Sequence, residues 1–338
     1  MTLPVDRLTF GLSLPNRAML FGMRSETLVR IAKIADESSS FDSVWVGDNF
    51  LSKPRLEAIV LLSGLATATR RVRLGTVCLA TFPMRNPVQL AIQWASLDLL
   101  SEGRTILAVC LGQPARDGAK FGAEYAAFGI RNEERVGRLE EGVELLRRLW
   151  GPEPVTFSGR YHSFSEVDAQ PKPAQAAVPI VIAANPWEAR DEATGERIMQ
   201  RIARLGDGWQ TDGIPPAEFA KVWSQIRSYA AECGRAEKVR HASLHLMVNL
   251  NRDERAARKE AIQFLDHYYG MGTVGEGKIA AWLAAGPPEA VAERIDSYVG
   301  AGCTTVIIRF AGADQERQLA GCIEHLLPAF AGRTAVRP

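Results

Sequence analysis

The chain carries two short apolar runs, Val72-Arg-Leu-Gly-Thr-Val-Cys-Leu-Ala80 and Thr105-Ile-Leu-Ala-Val-Cys-Leu111. Both include β-branched residues and are too short to span a membrane, which is typical of strands buried on both faces of a parallel sheet. Between them, Pro87 opens a segment whose apolar residues recur at helical spacing, and Ser101-Glu-Gly103 ends it. A strand, a helix and a strand this close together predict a right-handed parallel crossover.

The same alternation continues along the whole chain. Eight segments have the composition of buried strands: Leu8–Leu14, Ser43–Val46, Val72–Ala80, Thr105–Leu111, Pro179–Ala183, Gly208–Thr211, His241–Leu250 and Thr304–Arg309. A helical pattern separates each pair of strands. The predicted helices are a first one capped by Ser25, one that starts at Pro87, and Arg55–Thr69, Arg131–Trp150, Glu188–Leu205, Pro216–Glu232, Glu254–His267, Pro288–Ala301 and Gln315–Ala329. We therefore predict an α/β fold, a TIM-like (β/α)8 barrel in a single domain over residues 1–338. An open doubly wound sheet is the alternative, which the lack of a GxGxxG motif after the first strand weakens.

Two segments depart from this repeat. Gly151–Phe164 is rich in turn formers and alternates in polarity, which predicts a small hairpin inserted after the fourth helix. Tyr268–Gly286, before the last strand, holds glycines at 270, 272, 275 and 277 ahead of a short helix. This Gly-rich insertion predicts either a lid over a site or a disordered surface loop.

Composition excludes several classes of protein. The 338 residues include 40 basic and 39 acidic side chains, evenly spread, which gives no basis for expecting a nucleic acid partner. We expect no membrane span and no signal peptide. The five cysteines form no CxxC pair, and Cys78 and Cys110 lie in predicted buried strands, where a thiol behaves as a small apolar group. A reducing cytoplasm is the expected location.

A series of short motifs resembles the bacterial luciferase-like flavin-dependent oxidoreductases. These motifs are Phe41-Asp-Ser-Val-Trp-Val-Gly-Asp48, Arg73-Leu-Gly-Thr76, Arg85-Asn-Pro87, Leu100-Ser-Glu-Gly-Arg104, Gly159-Arg-Tyr-His-Ser-Phe164, Gly206-Asp-Gly-Trp209 and Pro288-Glu-Ala-Val-Ala-Glu-Arg294. Each is weak alone, but their order and spacing cover nearly the whole chain. The resemblance implies a TIM-like barrel, a homodimer packed through the second and third helices, and reduced FMN or the deazaflavin coenzyme F420 at the carboxyl ends of the strands.

The resemblance also indicates which residues would bind the cofactor. It implies a bulge at Thr76-Val77-Cys78 with a cis Val77–Cys78 peptide bond, where the alternative is an ordinary barrel strand. A flat tricyclic ring needs an apolar wall and a few polar atoms at its edge. The predicted cofactor-binding residues are Asp48, Thr76, Val77, Cys78, Ala183, Ala184, Asn185, Gln210 and Thr211. Close packing of strand against helix is the alternative for Ala183, Ala184, Gln210 and Thr211.

The predicted catalytic residues are Asn49, Gln113 and Arg309. Asn49 lies where many relatives carry a histidine, and Gln113 lies where some deazaflavin enzymes carry an acid for proton transfer. An amide cannot serve as a general acid or base near neutral pH. Arg309, among apolar neighbours at the end of the last strand, predicts a ligand for phosphate or an anionic substrate, or else a salt bridge at the rim. Ser13 and Asn16, at the end of the first strand, are expected to face the substrate.

The main functional prediction is a two-component monooxygenase that uses O2 and reduced FMN, supplied by a partner reductase, on a small organic substrate. One alternative is an F420-dependent hydride-transfer enzyme on the same barrel, and another is a catalytically silent flavin-binding paralogue. No metal site is expected. His241 and His245 are four residues apart, but they lie in a predicted strand without a third ligand, so we predict structural histidines.

Overall fold

The computed structural model describes residues 7–272 and 274–334. Its main sheet consists of nine parallel strands, eight of which close into a barrel because β9 pairs with both β8 and β11. The barrel strands are β1 (Thr9–Leu14), β2 (Ser43–Val46), β3 (Arg73–Thr76), β4 (Thr105–Val109), β7 (Ile180–Ala183), β8 (Gly208–Asp212), β9 (His241–Leu250) and β11 (Thr305–Phe310). The predicted TIM-like barrel is confirmed, and the open sheet is excluded.

Helices alternate with these strands, as the barrel requires. They are α1 (Ser25–Glu37), α2 (Ala58–Ala68), α3 (Pro87–Leu100), α4 (Ala119–Ala127), α5 (Arg135–Leu149), α6 (Glu192–Leu205), α7 (Pro216–Glu232), α8 (Glu254–Tyr269), α9 (Glu276–Trp282), α10 (Pro288–Gly300) and α11 (Gln315–Gly321). No helix among the described residues is long and apolar enough to cross a membrane.

Several predicted boundaries are wrong for identifiable reasons. Strand β3 ends at Thr76 rather than Ala80, because the chain bulges at Val77 and rejoins β4 only through a bridge from Leu79 to Val109. Helix α2 begins three residues after Arg55, where the side chain of Glu57 accepts a hydrogen bond from the amide of Val60. Ser25 is the first helical residue of α1 rather than its cap.

Other helices also differ from their predicted bounds. Helix α4 was not predicted, and the helix expected from Arg131 begins at Arg135. Helix α6 starts at Glu192, where Asp191 caps it. The final helix changes to a π-helical turn after Gly321.

The two predicted insertions are present. The hairpin consists of β5 (Val155–Ser158) and β6 (Ser163–Val167), which pair antiparallel. The Gly-rich segment contains α9 and then β10 (Leu283–Gly286), which pairs parallel with β9 outside the ring. It is therefore not a disordered loop over 276–286, and its role as a lid stays a prediction.

The barrel interior is filled below its mouth by Trp45, Ile106, Ala108, Val181 and Ile307. Trp45 fits because the neighbouring strands carry glycine beside it. A Cβ atom on Gly11 would come within 2.3 Å of the indole, and one on Gly75 within 2.4 Å. Since the interior is packed, any ligand has to bind at the ends of the strands.

Candidate active site

The carboxyl ends of the strands place polar side chains around one mouth. β1 contributes Ser13, β8 contributes Asp212, β9 contributes His245 and β11 contributes Arg309. In barrels of this type, the ligand and the reacting groups lie at this end.

Arg309 is the most unusual residue of the mouth. Its side chain is only 2% exposed, its Nε donates to Ser13 Oγ at 3.3 Å, and its guanidinium lies 5.0 Å from the centre of the Tyr268 ring. Its Nη1 is buried without a hydrogen-bond partner, and no described carboxylate forms an ion pair with it. A buried guanidinium without a counter-charge is costly, so this group is suited to an anionic ligand.

Two tyrosines from the end of α8 line the same region. Burial raises the pKa of Tyr268, but the cations Arg309 and Arg55 outweigh burial, and the net effect lowers that pKa. Tyr268 Oη also accepts a hydrogen bond from the Arg17 amide at 3.2 Å. For Tyr269 burial prevails and raises the pKa to about 12. Neither residue was predicted as a site residue.

The predicted bulge after β3 is present, and the Val77–Cys78 peptide bond is cis, as expected. Val77 and Cys78 are half-buried and pack against the apolar barrel interior. Thr76 is fully buried, and its hydroxyl bonds to the carbonyl and the amide of Ala108 at 2.7 and 3.2 Å. Thr76 therefore joins two strands beneath the bulge, whereas Val77 and Cys78 can face a ligand.

The prediction for Cys78 and Cys110 is wrong in one respect. The two side chains form a disulfide with their Cα atoms 6.0 Å apart, linking the bulge to the end of β4. Sequence reasoning treated them as separate apolar groups, because it could not place position 78 beside position 110. The argument for a cytoplasmic location that rested on reduced cysteines is thereby removed.

The ends of β7 and β8 bring several predicted cofactor residues together. Asn185 Oδ1 accepts a hydrogen bond from the Thr211 hydroxyl at 2.8 Å, and Asn185 Nδ2 donates to Asp212 at 3.0 Å. The amide of Ala184 donates to the carbonyl of Gln210, which follows Trp209 on β8. The Gln210 Nε2 atom is buried and has no partner. This surface offers the small residues Ala183 and Ala184 and one free amide donor.

Lys278 of α9 adds a positive charge that the sequence reasoning missed. Its ammonium lies 2.9 Å from Asp212 and 3.6 Å from Glu188. Burial raises the pKa of Asp212, but the ammonium and the hydrogen bonds from Lys278 and Asn185 outweigh burial and lower that pKa overall. Lys278 lies inside the Gly-rich insertion. The prediction that this insertion is a lid was the only sequence signal that pointed to Lys278 as a site residue.

The side chains of Asp48 and Asn16 are buried, and both already have hydrogen-bond partners within the protein. Asp48 accepts hydrogen bonds from the amide and hydroxyl of Thr81 at 2.8 and 2.6 Å and pairs with Arg85 at 3.3 Å. The Asn16 amide group bonds to the backbone of Gly47 and Leu56. Both side chains brace loops at the mouth, and this geometry does not support the predicted contacts with cofactor or substrate.

The two predicted catalytic amides lie apart from each other. Asn49 donates to Ser52 at 3.2 Å and accepts from Arg55 at 3.3 Å. Gln113 follows β4 and is exposed, and no side-chain hydrogen bond ties it to the described residues. The structure therefore brings Ser13 and Arg309 together, but not Asn49 and Gln113.

Lys53 lies on the loop after β2, close to two aromatic rings. Its ammonium is 5.5 Å from the centre of Phe121 and 5.4 Å from that of Tyr269. Burial, followed by repulsion from Arg55 and other cations, lowers its pKa to about 8. Within the described part of the chain, no cluster of three or more His, Cys, Asp or Glu residues could hold a metal ion.

The closed barrel, the bulge after its third strand and the polar mouth at its carboxyl ends agree with the class of luciferase-like oxidoreductases that the sequence motifs implied. The model of the luciferase-like monooxygenase family matches residues 8–305. The chain belongs to this family.

Relatives and solved structures extend the comparison. The chain is 28% identical over 333 residues to an F420-dependent glucose-6-phosphate dehydrogenase of Amycolatopsis mediterranei, covering 91% of this chain and 95% of the relative. A protein of the same name from Kineococcus radiotolerans is 27% identical over 320 residues, covering 85% of this chain and 89% of the relative. The monooxygenase RslO1 of Streptomyces bottropensis superposes with a TM-score of 0.80 at 25% identity, over 96% of this chain and all of its own. An F420-dependent secondary alcohol dehydrogenase shares the fold, with a TM-score of 0.79 at 18% identity over 96% of this chain and 99% of that one.

Proposed function

We propose that the protein is an F420-dependent oxidoreductase that moves a hydride between the deazaflavin and a small substrate bound at the barrel mouth. The support is the similarity, over about nine-tenths of the chain, to relatives named F420-dependent glucose-6-phosphate dehydrogenases. This was the alternative from the sequence, and the relatives favour it over the FMN monooxygenase. The similarity to RslO1 keeps the monooxygenase as the second candidate, which would need a reductase to supply reduced FMN.

The observation that carries the proposal within the structure is the uncompensated charge of Arg309. Its buried Nη1 lacks a partner, and Lys278 lies on the same side of the mouth, near Asp212. A phosphate or carboxylate bound there would supply the missing counter-charge. We therefore propose an anionic, hydroxylated substrate, of which a sugar phosphate is one example.

The residues of the mouth are suited to a flat redox ring. Val77 and Cys78 would form an apolar wall on one side, and Ala183 and Ala184 would leave room for close approach from the other. The unpartnered Nε2 of Gln210 would donate to the ring edge. The bound deazaflavin would supply hydride acceptance at carbon, and the protein would position both partners and exclude water.

Anaerobic calorimetric titration with oxidised F420 and, separately, with FMN tests the choice of cofactor. We expect saturable binding of F420 and none of FMN. The loaded protein should then reduce F420 with an anionic alcohol such as glucose 6-phosphate, seen as loss of the visible absorbance of the cofactor. Binding of FMN alone, with O2 uptake from the reduced form, would overturn the proposal in favour of the monooxygenase.

Substitution of Arg309 tests the proposed anion site. Arg309→Met should weaken binding of the anionic substrate by about 10- to 100-fold, since a charge-assisted hydrogen bond contributes about 1.5–3 kcal/mol. Binding of F420 serves as the check on folding. Arg7→Met, which removes an exposed arginine paired with Asp42 at the opposite end of the barrel, is the matched control and should leave substrate affinity unchanged.

A further inference from the structure

His245 is a buried histidine of the mouth that the proposed function has not yet used. It lies in β9, in register with Asp212 of β8 on one side and Ile307 of β11 on the other. Its side chain contacts Trp282 edge to face, with ring centres 5.6 Å apart, and the Trp282 indole donates to its backbone carbonyl at 2.9 Å. The Nε2 atom is buried without a partner, and the described residues form no side-chain hydrogen bond with the ring.

Burial, and after it the charges around His245, keep its ring neutral. Burial lowers its pKa to about 3, and Arg309 of β11 and Lys278 of α9 act in the same direction, against Asp212 of β8. A neutral imidazole has one nitrogen free to accept a proton. An anion bound near Arg309 and Lys278 would offset the two cations and raise the affinity of the imidazole for a proton.

Oxidation of an alcohol needs a group of this kind. When the carbinol C–H bond delivers its hydride, the hydroxyl has to give up a proton. Asn49 and Gln113 cannot take it, because amides do not titrate near neutral pH. Asp212 is engaged by Lys278 and Asn185, and the Tyr268 hydroxyl already accepts from the Arg17 amide.

We propose that His245 is the proton acceptor of the reaction, an assignment that rests on the proposed F420-dependent function. With a deazaflavin bound as hydride acceptor, the substrate C–H bond would give up its hydride to it while the O–H proton passed to Nε2 of His245, so the C–O single bond would become a carbonyl. The imidazolium would then return its proton to solvent, and in the reverse direction it would donate that proton to the carbonyl oxygen.

His241 provides a matched control within the same strand. It lies four residues earlier on the same face of β9, is also buried, and has a pKa lowered to about 4, chiefly by burial and then by Arg73. It lies at the opposite end of the barrel, where its Nδ1 is 3.4 Å from the Thr304 hydroxyl. A bound ligand at the mouth should therefore affect His245 and leave His241 unchanged.

The first test is an NMR titration of the histidine rings, which needs no cofactor. Protein labelled at the imidazole carbons is titrated with acid with and without inorganic phosphate, and the signals are assigned with His245→Asn and His241→Asn. We expect phosphate to raise the pKa of His245 by about one unit and not to move that of His241. An unchanged His245 would place it away from the anion and overturn the assignment.

The second test uses the F420-loaded protein. His245→Asn should lower kcat by about 10²- to 10⁴-fold, the range for loss of general base catalysis, with F420 affinity unchanged. Since the pKa of His245 is about 3, wild-type activity should fall through its protonation only in strongly acidic solution, and this fall should be absent from His245→Asn. Added imidazole should partly restore His245→Ala. His241→Asn should retain the wild-type profile.

The outcomes separate the two proposals. If the wild type does not bind or reduce F420 while His245 still responds to phosphate, the choice of cofactor fails and the placement of His245 holds. If the wild type is active and His245→Asn keeps its kcat and pH profile, the assignment of His245 is wrong. Lys53→Met then becomes the variant to measure, because Lys53, with its pKa lowered to about 8, can exchange a proton near neutral pH.

Discussion

Lys53 is held between two aromatic rings, and its lowered pKa makes stability depend on pH in a defined direction. Between the folded pKa of about 8 and the ordinary lysine value of 10.5, the unfolded chain binds more protons at this site than the folded chain does. The free energy of unfolding should therefore rise with pH across this window. In Lys53→Met this rise should be smaller, as measured by urea unfolding at several pH values.

Lys33 of α1 offers the control for this prediction. It is exposed, and it is not among the cations that lower the pKa of Lys53. Lys33→Met should keep the wild-type slope of stability against pH. If Lys53→Met keeps that slope as well, the ammonium of Lys53 is solvated as fully in the folded chain as in the unfolded one.

At this scale, the sequence predicted the position of some candidate residues but not the contacts of others. The place of Arg309 at the mouth was predictable, because a charge within an apolar strand end has few structural explanations. Asn16 and Asp48 were not, because a polar residue after a strand has the same sequence signature whether it braces a loop or faces a ligand. His245 and Lys278 depend on contacts between distant segments, which spacing along the chain does not encode.

Among the secondary-structure elements, strands β1, β2 and β3 pack together around the side chain of Trp45. Gly75→Ala would place a methyl group against the indole, and overpacking of this kind costs about 1–3 kcal/mol. We expect the midpoint of chemical unfolding to fall accordingly. In the double variant with Trp45→Phe the loss should be partly recovered, as measured by a double-mutant cycle.

Gly277 of α9 is the matched glycine for this experiment. A Cβ atom there meets nothing within 4 Å. Gly277→Ala should leave stability unchanged or raise it by about 0.5–1 kcal/mol, because alanine favours the helix. Equal effects of the two alanines would mean that the indole does not limit the space beside β3.

Helix α4 holds the loop that follows β2. The buried carboxylate of Glu124 accepts hydrogen bonds from the amides of Phe50 and Leu51 at 2.7 and 2.8 Å, and from the Ser52 hydroxyl. Glu124→Ala should raise the hydrogen-exchange rate of the Phe50 and Leu51 amides by about 10- to 100-fold, because bonds to a charged acceptor contribute about 1.5–3 kcal/mol. Mass spectrometry of peptides from residues 48–56 measures this change.

Glu141 forms the equivalent contact at the hairpin. Its carboxylate accepts from the amides of Arg160 and Tyr161 at 2.9 and 3.2 Å. Glu141→Ala should speed exchange there and leave residues 48–56 unaffected. Faster exchange in both segments for either variant would indicate general destabilisation rather than release of one loop.

The elements themselves were largely predictable, because buried parallel strands and amphipathic helices have different periods. The exceptions have local causes. Strand β3 was predicted too long, because an apolar run does not show where a bulge breaks the ladder. Helix α4 was missed, because its main anchor is the buried Glu124, and a single carboxylate in a short helix gives no sequence signal of burial.

For the whole molecule, we propose that two copies associate through α2 and α3, as the family resemblance implied. Val60 of α2 is 72% exposed, and Leu99 and Leu100 at the end of α3 are 45% and 53% exposed. Val60 lies in the first turn of α2 and Leu99 and Leu100 in the last turn of α3, so they do not form one contiguous patch, and the family resemblance is what supports the proposal. Val60→Asp should convert a dimer to a monomer, as measured by light scattering coupled to size-exclusion chromatography.

Met271, at 90% exposure, lies outside these helices and provides the control. Met271→Asp introduces the same charge and should leave the dimer intact. A wild-type protein that is monomeric at all concentrations would contradict the proposal.

Strand β10 also bears on how readily the protein aggregates. A closed ring has no free sheet edge, whereas among the described strands β10 pairs only with β9 outside the ring, and its residues Leu283, Ala284 and Gly286 are buried. The strand is only four residues long and is followed directly by Pro287 and Pro288, which have no amide hydrogen to donate. Replacing these two prolines would let the strand lengthen beyond its buried part, and aggregation on storage would be the cost.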